Sequence, residues 1–123
     1  MKLENDLITQ KYTYIEHEDD IKYNAPHHFK IYSSAPHSRE ADGPLLLSEI
    51  NMQEGPVNEI GINGCHNEDL IAIILARLES FQKSEFKCRE NACAITKLEE
   101  ALMWLRKRTS GRENRNVEGT HKI

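Results

Sequence analysis

No stretch of this 123-residue chain stays apolar for long: the longest run is the seven residues Leu70–Ala76. A helix across a bilayer needs roughly 20, so no membrane span is expected. The opening MKLENDLITQ lacks the apolar core of a signal peptide. Cysteine is scarce: Cys65, Cys88 and Cys93 are an odd number with no paired spacing. That argues against a secreted disulfide scaffold and for a reducing cytosol. Also missing are a glycine-rich phosphate loop, His-Glu-x-x-His, Gly-x-Ser-x-Gly and any acid–base pair. His27-His28 open an expected strand, where neighbouring side chains point to opposite faces and cannot chelate together. Cys65-His66 and the Cys88/Cys93 pair lack zinc-knuckle spacing. No metal, cofactor or catalytic residue is therefore assigned.

What is present suits one small α+β domain, 1–123. Only 38% of residues are hydrophobic and 29% are charged, a marginal core for a monomer, so self-association is expected. Residues 1–62 read as β-rich. KYTYIEH alternates, HFKIY sets Phe29 and Ile31 opposite Lys30 and Tyr32, and PLLLSEINM is a short apolar run. The last two are expected to pair as antiparallel strands across a polar loop, residues 33–42. Residues 63–109 read as a helical hairpin. Asn67 is the expected N-cap, and Leu70, Ile71, Ile74, Leu75, Leu78 and Phe81 recur at three- and four-residue steps. Ile95, Leu98, Leu102 and Leu105 do so in a second helix from Lys87 to Arg108, with Gly111 as its stop. Ala92, Ala94 and Ala101 leave room for a partner helix. Residues 110–123 form a polar C-terminal arm.

Charge is unevenly spread. The chain holds 16 Lys+Arg and 20 Asp+Glu, a net of −4, yet residues 106–115 carry five basic residues and one acid. The remainder, 11 basic against 19 acidic, is −8, which opposes sequence-blind DNA binding. Arg108 and Arg112 share a helical face if the helix continues, and Arg115 follows. Such a cluster is either a solvated helix end favoured by the C-terminal dipole or a planar clamp for phosphate oxygens. Phe81 and Trp104 are either packing residues or stacking platforms for a base. Asn91 is either a cap or a reader of an adenine edge.

The strings NGCHNEDLIAIILARLESFQ, CRENACAITKLEEALMWLRKRT and GRENRNVEGTH resemble, in order, the helical hairpin and C-terminal arm of the phage Thoeris anti-defence protein one family. Phage anti-CBASS cyclic-oligonucleotide sponges are its relatives. The resemblance covers about residues 57–121. It implies a non-enzymatic sponge in the cytoplasm of an infected bacterium, holding glyco-cyclic ADP-ribose from TIR-domain proteins intact so that the Thoeris effector stays inactive. The motifs map ligand contacts onto Phe81, Asn91, Arg108 and Arg112, with Arg115 and Thr120 from the arm. Phe81 would stack on adenine, Asn91 bond base or ribose, and the arginines clamp the pyrophosphate. Trp104 is kept mainly as packing. Asn116 stands where the family commonly has glycine, and asparagine is the next-best residue for a left-handed turn. Alternatives are sequestration of cyclic di- or trinucleotides, a signal-degrading hydrolase and a nucleic-acid-binding accessory protein.

Arg108 lies 17 residues beyond Asn91, or about 25 Å along one helix. A single small ligand cannot reach both, so the pocket is expected to be shared between two chains of a twofold homo-oligomer, a dimer or larger. Two arginine contacts at roughly 1.5–3 kcal/mol each and one stacked base at roughly 1–3 supply about half of a nanomolar affinity. Residues 113–121 are therefore expected to close over the ligand as a lid.

Overall fold

The computed structural model describes residues 1–34 and 43–123, so most of the expected 33–42 loop lies outside the described residues. The chain is α+β and divides into two compact units, each described by itself. The first comprises Met1–Gly55 and Ile62–Gly64, the second Pro56–Gly61 and Cys65–Ile123.

The first unit is a three-stranded antiparallel sheet in the order β1 (Thr13–His17), β2 (His28–Ser33), β3 (Leu46–Asn51). The pairing of HFKIY with the leucine run is as the alternation predicts. One face stacks Tyr14 on Tyr32, ring centroids 5.4 Å apart. Further along it, Glu16, Lys30 and Glu49 alternate in sign across the three strands. The opposite face aligns Ile15 with Ile31, and sets His17 edge-on to Phe29 at 5.9 Å. A register shift at Ile31/Tyr32 leaves Leu47 unopposed in the ladder. Gly64 is required by space: a Cβ there would sit 2.4 Å from the Met52 backbone carbon.

A polar cluster ties the start of β2 to the end of β3. His28 Nδ1 lies 2.9 Å from Asn51 Oδ1, and Nε2 lies 3.0 Å from Glu54 Oε2 and 3.9 Å from Glu18 Oε2. Both ring nitrogens face acceptors, which the doubly protonated ring satisfies. The Asn51 contact first, then Glu54, raises the His28 pKa above 6.5, against desolvation. For Glu18, desolvation pushes upward, but the amides of His27 and His28 donate to its carboxylate and carry it below 4.5. A base with a raised pKa stabilises fully below 6.5 and loses that contribution as pH rises through the folded value. An acid with a lowered pKa stabilises above 4.5 and loses it as pH falls through the folded value. These two groups therefore place a stability maximum between pH 4.5 and 6.5. A melting-temperature series on wild type and His28→Gln checks this: the variant should lose the alkaline decline, and an unchanged decline refutes the role of His28.

The second unit holds α1 (Val57–Ile60), α2 (Asn67–Gln82) and α3 (Arg89–Asn114). Two of its features differ from expectation. The α2 N-cap is His66 rather than Asn67, because Asp69 reaches back to accept the His66 amide at 2.8 Å. Gly111 does not stop α3, which runs on to Asn114, so the arm is shorter than residues 110–123. The Arg106–Glu113 ion pair at 3.1 Å bridges the glycine. The helix ends where Asn116 turns left-handed, φ 58°. There the Val117 amide bonds the Arg112 carbonyl and the Asn116 amide bonds the Glu113 carbonyl, both at 3.0 Å. This is the Schellman pattern, and asparagine fills the glycine role as anticipated.

Helices α2 and α3 pack on each other across the six-residue connection 83–88. Leu75, 8% exposed, is the buried apolar residue of the hairpin among the described residues. Half-buried Leu70, Ile71 and Leu78 flank it in α2, and half-buried Ile95, Leu98, Leu102 and Leu105 continue the seam in α3. The expected spacings thus mark the contact faces, yet Ile73, Ile74, Met103 and Trp104 remain exposed. Trp104, 66% exposed, does not pack within the protomer as expected; Lys107 Nζ lies 5.3 Å from its ring centroid.

Candidate functional site

The hairpin tip is fastened by one side chain. Gln82 Oε1 accepts the Cys88 amide at 2.9 Å, and Gln82 Nε2 donates to the Cys88 carbonyl at 3.0 Å. Cys88 is the N-cap of α3, so this amide clamp fixes where α3 begins relative to the end of α2. Phe81 and Asn91 inherit their positions from it. Phe81, in the last turn of α2, is 41% exposed; Asn91, in the first turn of α3, is half-buried.

Phe81 lines an open hollow of about 510 Å³ with Ala76, Arg77, Ser80, Ser84 and Phe86, a size suited to a small organic ligand. Asn91 does not line it. Arg77 was not singled out from the sequence. Its guanidinium carbon stands 5.6 Å from the Phe81 ring centroid, a cation–π arrangement worth about 0.5–1 kcal/mol at an exposed site. A base stacking on Phe81 must take the other ring face or displace Arg77. The i, i+4 spacing of Arg77 and Phe81 was the available signal.

The far end of α3 carries the arginines. Arg108 is exposed and its side chain makes no hydrogen bond or ion pair among the described residues, so its guanidinium is available. Arg112, one turn on, is half-buried and engaged: Nη2 donates to the Val117 carbonyl at 2.9 Å and to the Thr120 carbonyl at 3.0 Å. Nη1 and Nε remain for an anion. Arg115 is the exposed C-cap. Thr120 sits with Arg112, but through its backbone; its hydroxyl donates to the Val117 carbonyl at 2.5 Å.

The arm is tied to α1 by hydrogen bonds. The Asn58 amide donates to the Gly119 carbonyl and Asn58 Nδ2 to the Glu118 carbonyl, both at 2.8 Å. His121 meets Glu59 through its amide and its ring, and the ring contact is the first cause of a lowered Glu59 pKa. The arm expected to close as a lid is thus partly helix, residues 113–114, and otherwise strapped to α1 and the end of α3. Asn91 and Arg108 lie in one continuous helix, about 25 Å apart. One chain brings Phe81 close to Asn91 in sequence at the tip, and Arg112 to Thr120 at the other end; it does not bring the two groups together.

Among the described residues no helix is long and apolar enough to cross a membrane, and no three His, Cys, Asp or Glu side chains gather as a metal cluster. Residues 47–110 match the family described as Acb2/Tad1, hairpin domain. A protein of Bacillus phage SBSphiJ7, Thoeris anti-defense 1, is 49% identical over 138 aligned residues, covering 98% of this chain and 97% of that protein. The match runs through the sheet unit, the Gln82-clamped hairpin and the arm alike, and the chain belongs to the Acb2/Tad1 family.

Proposed function

We propose that this protein is a phage anti-defence sponge, acting in the host cytoplasm, that binds a TIR-derived glyco-cyclic ADP-ribose and holds it unconverted, so that Thoeris signalling fails. The observation that carries the reading is an exposed aromatic at one end of the hairpin and exposed guanidinium groups at the other, in a chain so similar to a phage protein named for anti-Thoeris action. The ligand offers what these ends recognise: an adenine face for Phe81 and a pyrophosphate for Arg108 and the free donors of Arg112. Asn91 bonds the base or ribose, and Arg115 adds positive charge beside the clamp. The one-domain organisation, 1–123, belongs to the same reading.

Two protomers make each pocket. The tip of one hairpin meets the arginine end of its partner, and a twofold axis generates two equivalent sites. Exposed Ile73, Ile74, Met103 and Trp104 supply apolar surface for that pairing. Ultrafiltration of the TIR-made signal with excess protein tests the binding claim. Wild type should retain the signal above the membrane, while Phe81→Ala and Arg108→Ala should need about 10- to 150-fold more protein to retain the same share. Free passage with wild type would overturn the proposal.

A further inference from the structure

The short helix α1 is joined to the end of the chain by four hydrogen bonds. Asn58 supplies two, and Glu59 accepts two from His121. Arm residues beside and between these hooks, Val117 and Thr120, present the carbonyls to which Arg112 Nη2 donates. The bonds therefore form a chain: α1 holds residues 118–121, and the adjoining carbonyls hold the Arg112 guanidinium. The fit at the first hook is close. Gly119 has φ +71°, and a Cβ there would lie 2.6 Å from Asn58 Nδ2 and 2.8 Å from Asn58 Cγ. A free arginine side chain samples many rotamers, and ordering it on binding costs affinity. A guanidinium already fixed in plane loses less.

We propose that Asn58 is a positioning residue for Arg112: through the arm it sets the plane of the guanidinium that receives the ligand's phosphate. This rests on the ligand reading above. It assigns to α1, whose side chains make no hydrogen bond or ion pair to a candidate contact residue among the described residues, a specific part in binding.

Two readouts on the full-length protein test it. In the free protein, the Arg112 guanidinium NMR signals should be dispersed by slowed rotation in wild type and averaged in Asn58→Ala. Gly119→Ala, which crowds the same hook from the other side, should act alike. In calorimetric titration with glyco-cyclic ADP-ribose, Asn58→Ala should weaken binding about tenfold, as for a lost side-chain hydrogen bond. It should weaken it no further when combined with Arg112→Ala, because the two then act through one group. Equal weakening in both backgrounds, or unchanged Arg112 signals in both hook variants, would overturn the proposal. Failure of the ligand reading looks different: wild type would then show no binding, or Arg112→Ala alone would leave it intact, while the free-protein spectra still decide whether Asn58 orders Arg112.

Discussion

Phe81→Ala and Arg108→Ala proteins, each too weak to hold ligand at concentrations near the wild-type dissociation constant, are expected to regain about a quarter of wild-type binding capacity there when unfolded and refolded together in equal amounts. The arithmetic follows from a twofold pocket shared between chains. Random pairing makes half of the dimers mixed. In each mixed dimer one pocket combines the two damaged ends, and the other combines two intact ends. The reason for a shared pocket is that α3 runs unbroken from Arg89 to Asn114, holding Asn91 and Arg108 about 25 Å apart. A pocket built within one chain predicts no recovery at any mixing ratio. Capacity per protomer by equilibrium dialysis is the measurement, and absence of recovery from well-folded mixed dimers refutes the shared site.

Arg112→Ala is expected to be the most damaging single change at the arginine end, weakening binding roughly 100- to 1000-fold. A charge-assisted hydrogen bond carries about 1.5–3 kcal/mol, or about 10- to 150-fold, and that alone is the expected loss for Arg108→Ala. Arg112 adds two bonds to arm carbonyls, so its removal also leaves Val117 and Thr120 without that anchor beside the site. Arg112→Lys should recover little: an ammonium keeps the charge but cannot hold two carbonyls in a plane and still direct separate N–H donors at phosphate. Isothermal titration of the three variants checks the order. Equal losses for Arg108→Ala and Arg112→Ala would show that the arm bonds are irrelevant to binding.

The hairpin was legible because burying a helix face imposes a period, and both stripes of leucine and isoleucine mark the contact seam. The pairing of HFKIY with PLLLSEINM was legible for the equivalent reason in strands. Other features were not, where a local rule was overruled by contacts remote in sequence or by competition between neighbours. Gly111 is a good stop by propensity, yet the unfavourable term of about 1 kcal/mol is offset by the bonds around it, and Asn116 ends α3 instead. The four-residue α1 has too few residues for a period and no side-chain cap. Its role is set by Gly119 and His121, some 60 residues away. Arg112 read as a ligand residue from the motif, and only the folded arm reveals its second pair of partners. Trp104 went the other way: an indole in a helical stripe reads as packing, and the protomer leaves it exposed.

A sponge captures its signal without converting it. The most direct test incubates the TIR-made signal with a molar excess of protein, removes unbound material, denatures the complex by heat and identifies the released compound by mass spectrometry. The expected result is intact glyco-cyclic ADP-ribose, recovered in the amount captured and able again to activate the Thoeris effector. Release of an opened ring or hydrolysed pyrophosphate, or consumption of more signal than there are protomers, would contradict it.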